Sequence, residues 1–143
     1  MTHYGTVLLN ERIVRSLELT PEQIARENRQ VQTELDRRNK LFRGDSPDPD
    51  LKGREVIIAD DGLASGYTML ASIHMVHKAE AGRIIVAVPT AHPGSIDMIR
   101  PKVDEVYCAN IREGRYFAVA EAYRNWYNLS DDEVFGLLEK SSH

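Results

Sequence analysis

Val56-Ile57-Ile58-Ala59-Asp60-Asp61-Gly62-Leu63-Ala64-Ser65-Gly66-Tyr67-Thr68 reads as a strand, two adjacent acids, a turn of small residues and a hydroxyl opening a helix. The same alternation continues downstream. Residues Glu55 to Asp60, Arg83 to Pro89 and Glu105 to Ala109 have strand character, and helices are predicted from Tyr67 to Ala79 and near Ser95 to Ile99. Near-continuous apolar runs such as Ile84-Ile85-Val86-Ala87-Val88 predict strands buried on both faces. Strands alternating with helices predict an α/β fold, a parallel sheet with flanking helices.

Upstream, Thr6 to Leu9 is a short β-prone run. Thr20, Pro21 and Gln23 form a capping-box start for a helix running to about Phe42 and stopping at Gly44. Its apolar positions Ile24, Val31, Leu35 and Phe42 make a narrow stripe, which predicts packing on one neighbour and a homo-oligomer. Residues 44–53 form a loop, because Pro47 and Pro49 forbid helix there. A helical stretch is expected from Val119 to Tyr127, and Ser130 caps a last helix. Residues 1–143 read as a single domain.

The composition narrows the partners. The chain has 143 residues, 42% hydrophobic and 28% charged, with a net charge of −4. That balance gives no general attraction for nucleic acid or anionic lipid, and no apolar run reaches the roughly 20 residues of a membrane span. Neither nucleic acid nor membrane is therefore an expected partner. No secretion signal is evident, and Cys108 is the one cysteine, so a cytoplasmic setting is expected.

In open parallel sheets, ligands bind beyond the carboxyl ends of the strands, where Asp60 and Asp61 fall. Adjacent carboxylates accept hydrogen bonds from a pair of vicinal hydroxyls, or hold Mg²⁺ through water; the bland alternative is that they cap the turn. Ala64, Ser65 and Gly66 allow close backbone approach, and the amides of the turn, at the positive end of a helix, make a phosphate cradle. Ser65 and Thr68 add hydroxyl donors. Neither the G-x-x-x-x-G-K-[ST] loop nor the G-x-G-x-x-G fingerprint is present.

Four apolar residues, two acids, two further small or apolar residues and then Ala-Ser-Gly-x-Thr resemble the phosphoribosyl-pyrophosphate motif of type I phosphoribosyltransferases. Val7-Leu8-Leu9-Asn10-Glu11, the capped helix, the Pro-rich loop, Val86-Ala87-Val88-Pro89 and Tyr116-Phe117-Ala118-Val119 extend the likeness to a bacterial and archaeal subgroup. The resemblance implies a phosphoribosyltransferase-like (Rossmann-like) fold, with Asp60 and Asp61 on the ribose hydroxyls and steadying positive charge on the sugar. Ala64, Ser65, Gly66, Tyr67 and Thr68 would wrap the 5′-phosphate, Tyr67 mainly through its amide. The implied ligand is phosphoribosyl pyrophosphate or a nucleotide 5′-monophosphate, with phosphoribosyl transferred to or from a nitrogenous base. Mg²⁺ would be bound mainly through the pyrophosphate, with no metal site of the protein's own. Family members carry an upstream strand followed by a loop that grips pyrophosphate. No such loop is legible here, so the domain is expected to be incomplete at its N-terminus. The alternative is a non-catalytic ribose-phosphate or nucleotide binder with a sensing or assembly role.

Other residues carry weaker expectations. His74 and His77 lack further ligands for zinc, and His92, Asn110, Arg112 and Arg115 lie on the ligand rim of the sheet. Tyr116, Phe117, Tyr123, Trp126 and Tyr127 are expected to pack in the core or between subunits rather than stack on a base. Cys108 reads as a small apolar residue at a strand end. A response-regulator receiver domain would need an Asp at the end of a later strand, where this chain has Val88-Pro89-Thr90 and Ala109-Asn110.

Overall fold

The computed structural model describes residues 7–114 and 117–141. Three parallel strands, β1 (Glu55–Ala59), β2 (Arg83–Ala91) and β3 (Glu105–Ile111), form a sheet in that order. Helices α3 (Tyr67–Lys78) and α4 (Pro93–Ile99) connect them, after α1 (Glu11–Ser16) and α2 (Pro21–Arg43), and α5 (Asp131–Ser141) closes the chain. The parallel α/β architecture is the one expected.

Side chains alternate across a strand, so one face of the sheet takes Ile84, Val86 and Val88 from β2 and Ile58, Val106 and Cys108 from its neighbours. On this face Met69 and Ile73 of α3 and Ile96 and Ile99 of α4 close the core around Val86, which is wholly buried. Met69, Ile73 and Val76 recur at helical spacing, which is why α3 presents one apolar side to the sheet.

On the opposite face the expectation of strands buried on both sides holds for β2, where Ile85 is buried and Ala87 half-buried, but not for the strands beside it. Ile57 is 63% exposed and Tyr107 60% exposed, with Ala59 and Ala109 open beside them. An apolar run records that a strand can be covered twice; which face receives a helix is decided by the connections. Here α3 and α4 both join the one core. At the amino end of the open face, Arg83 bridges Glu55 and Glu105.

Three further expectations are modified. Val7–Leu9 form no strand (Thr6 lies outside the described residues). They lead instead into Asn10, whose side chain accepts from the backbone N–H groups of Arg12 and Ile13 and starts α1. The 119–127 helix shrinks to a single 3₁₀ turn, Val119–Ala122, because the backbone turns extended at Tyr123 to reach the β1 loop. Strands β2 and β3 run about two residues further than expected, to Ala91 and Ile111.

Helix α2 follows its sequence closely. Gln23 N–H donates to Thr20 Oγ1 at 3.3 Å, Thr20 N–H donates to Gln23 Oε1 at 2.8 Å, and the helix ends at Gly44 with φ of 57°. It buries no residue. Arg37 and Arg38 both bond Glu34 and hold its carboxyl down at about 2, and Arg37 also reaches Asp131 of α5 at 2.7 Å. Ion pairs this exposed contribute little each.

Candidate ribose-phosphate site

Strand β1 ends at Ala59, so Asp60 and Asp61 open the loop at the carboxyl edge of the sheet, both exposed. The loop is anchored immediately beyond them. Leu63, 2% exposed, bridges to Ala91: its N–H donates to Thr90 O at 3.0 Å, and its carbonyl accepts from His92 N–H at 2.9 Å. Gly62 has no room for a side chain, since a Cβ there would lie 2.8 Å from Val119 Cγ1 and 2.9 Å from Thr90 Cγ2. The Ser95 hydroxyl donates to the carbonyl of Ala64, tying the turn to α4.

Gly66 then adopts φ of +75° and stands as the N-cap of α3 with no side-chain capping bond. This left-handed geometry is what glycine supplies. Among the described residues, none accepts from the backbone N–H groups of Ala64, Ser65, Gly66, Tyr67 or Thr68. Ala64, Ser65 and Thr68 are exposed, Tyr67 is half-buried and Gly66 is buried against Met98 and Ser95. Apart from Gly66 the bend is open, and it carries amide donors at the positive end of a helix. All seven residues singled out in the sequence lie along one continuous loop and helix start.

The two acids border different recesses. Asp60 lines a groove of about 580 Å³ on the open sheet face with Ala59, Ala87 and Tyr107. Asp61 lines a cleft of about 690 Å³ with Arg38, Tyr123, Trp126 and Tyr127. Asp61 N–H donates to Asp60 Oδ1 at 2.9 Å, so the bland role of capping the turn is also present. Partial burial, and then the neighbouring charge of Asp60, push the Asp61 carboxyl above its ordinary value.

A raised folded-state value means the folded chain holds this proton more tightly than the unfolded chain. That stabilisation is present in acid and is lost as pH rises past the ordinary aspartate range. Asp61→Asn removes the penalty. Its thermal midpoint should exceed that of the parent at pH 7, with the gain vanishing near pH 3. A lower midpoint at pH 7 would show that the ionised group is structurally required.

No group of three or more metal-ligating side chains occurs among the described residues. Two exposed carboxylates fit a cation held mostly by phosphate oxygens and water, as Mg²⁺ prefers. They do not fit a metal caged by protein alone.

Of the remaining candidates, two histidines and Cys108 take structural roles. His92 caps α4, its Nδ1 accepting from Gly94 N–H at 3.1 Å, and its ring packs 6.3 Å from that of Phe117. His77 bonds the carbonyl of Lys102 at 2.7 Å. Cys108 packs against the core, Asn110 is exposed, and Arg112 is half-buried. Arg115 and Tyr116 lie outside the described residues. Tyr123 is the residue whose place the sequence did not disclose: its hydroxyl donates to Asp61 O at 2.7 Å across 62 positions. No local spacing encodes such a contact.

A family model of the phosphoribosyl transferase domain matches residues 4–126. The chain belongs to the phosphoribosyl transferase domain family. This phosphoribosyl transferase domain is also 32% identical over 137 residues to proteins of two Mycobacterium tuberculosis strains, H37Rv and CDC 1551, each provisionally named a phosphoribosyl transferase. The match covers 96% of this chain and 31% of each relative, so the chain spans about a third of their length. Among solved structures, TT1426 from Thermus thermophilus superposes with a TM-score of 0.72 at 26% identity. That alignment covers 96% of this chain and 64% of TT1426. No helix among the described residues is long and apolar enough to cross a membrane.

Proposed function

We propose that this domain binds phosphoribosyl pyrophosphate or a nucleotide 5′-monophosphate and transfers phosphoribosyl to or from a nitrogenous base. The observation that carries the reading is the open amide-lined bend from Ala64 to Thr68 lying directly beside two exposed carboxylates. The bend would take the 5′-phosphate through its amides and the Ser65 and Thr68 hydroxyls. Asp60 and Asp61 would accept from the two ribose hydroxyls, orienting C1′.

In the transfer, the C1′–O bond to pyrophosphate breaks and its electron pair leaves with pyrophosphate. A base nitrogen supplies the pair for the new C1′–N bond and gives up a proton. Positive charge develops on the ribose, and the two carboxylates stabilise it electrostatically. Mg²⁺, when bound to the pyrophosphate oxygens, neutralises leaving-group charge. The protein's own contribution is positioning.

A second reading is a binder of the same ligands without turnover. Calorimetric titration with phosphoribosyl pyrophosphate and Mg²⁺, beside a pyrophosphate-release assay over a panel of bases, separates the two. Binding with release supports transfer, and binding without release supports the second reading. No binding at millimolar ligand overturns both. Self-association belongs to the same proposal, supported by α2, which fully buries none of its apolar residues, and by the open sheet face. Sedimentation equilibrium returning a monomer would remove it.

A further inference from the structure

We infer that Tyr123 is a positioning residue for the acid pair, a role that rests on the ribose-phosphate reading above. The peptide units around Asp61 are restrained from both ends. The Asp61 N–H is held by Asp60 Oδ1 at 2.9 Å, and the Asp61 carbonyl by the Tyr123 hydroxyl at 2.7 Å. Gly62 follows, and a glycine leaves the backbone free to rotate unless something outside the loop restrains it.

Besides the Leu63 bonds to Thr90 and His92 and the Thr90 methyl against Gly62, two contacts from one downstream segment supply that restraint. Val119 lies so close to Gly62 that no Cβ fits between them, and Tyr123 closes the carbonyl side. The Tyr123 ring is steadied in turn by Trp126, at a centroid distance of 5.0 Å and a tilt of 57°. The extended backbone at Tyr123, where sequence periodicity favours helix, is the conformation that delivers the hydroxyl. Residues 119–126 thus act as a strap that sets the plane of the Asp61 peptide, and through it the direction of both carboxylates.

The strap predicts a split between two ligands. Ribose 5-phosphate uses both the acid pair and the amide bend, whereas inorganic phosphate uses the bend alone. Tyr123→Phe removes one hydrogen bond and keeps the ring against Trp126. Its affinity for ribose 5-phosphate should fall about fivefold, with inorganic phosphate affinity unchanged and the thermal midpoint lower by no more than a few degrees. Trp126, the chain's one tryptophan, lines the cleft with Asp61 and gives the signal. Its emission should respond to ribose 5-phosphate more than to phosphate. Equal ribose 5-phosphate affinity in Tyr123→Phe overturns the inference, and so does an equal loss for both ligands. Failure of the parent chain to bind ribose 5-phosphate at all is a different result, and overturns the function reading itself.

Discussion

Replacing Asp60 and Asp61 together by Asn weakens ribose 5-phosphate binding by at least about a hundredfold while the fold persists. Each ionised carboxylate accepting from a sugar hydroxyl is a charge-assisted bond worth about 1.5–3 kcal/mol, and about 1.4 kcal/mol is tenfold in affinity. Both side chains are exposed, and their loop is anchored mainly through Leu63 and the carbonyls of Asp61 and Ala64; the one bond a carboxylate makes there, Asp60 Oδ1 accepting from Asp61 N–H, can be kept by an Asn amide oxygen. Circular dichroism and thermal melts should accordingly match the parent or show a modest gain from Asp61. Calorimetric titration gives the affinity. An unchanged Kd would take the acid pair out of the site.

Gly66→Val should abolish ribose-phosphate binding and cost stability as well. A β-branched residue at φ of +75° is an outlier, with a strain of roughly 1–3 kcal/mol. The new Cβ would also fall 2.7 Å from Met98 Cε and 3.2 Å from Ser95 Cβ. Met98 ends in a flexible methyl and can yield; Ser95 is buried, and its hydroxyl holds Ala64 in place. The thermal midpoint should drop by several degrees. Gly66→Asn is the control, because Asn tolerates the left-handed region. It should recover the part of the stability lost to backbone strain, while its Cβ still meets Met98 and Ser95 beside the bend. A Gly66→Val protein that folds and binds like the parent would show that the bend is not the phosphate cradle.

The parts of the fold legible in the sequence are those encoded locally. Thr20 with Gln23, Gly44, Ser130 and the Met69, Ile73, Val76 spacing each mark an element whose chemistry lies within a few residues. The candidate site was legible for the same reason: from Asp60 to Thr68 it is one short stretch, and no distant segment was needed to name its residues. What stayed hidden depends on contacts far apart in the chain. The open face with Ile57 and Tyr107 is set by both connecting helices joining the one core, which a run of apolar residues cannot announce. The loss of helix after Ala122 follows from the hydroxyl of Tyr123 finding Asp61. His92 shows the converse: it does stand at the carboxyl rim of the sheet, yet its ring nitrogen is engaged in capping α4.

Ribose-phosphate binding here depends on the backbone amides of one bend meeting a phosphate. Amide-resolved NMR of the ¹⁵N-labelled chain, titrated with ribose 5-phosphate, tests this directly. The largest shift changes should fall on Ala64, Ser65, Gly66, Tyr67 and Thr68, with smaller ones at Asp60, Asp61 and the indole of Trp126. Saturable changes elsewhere that leave the 64–68 amides unmoved would contradict it.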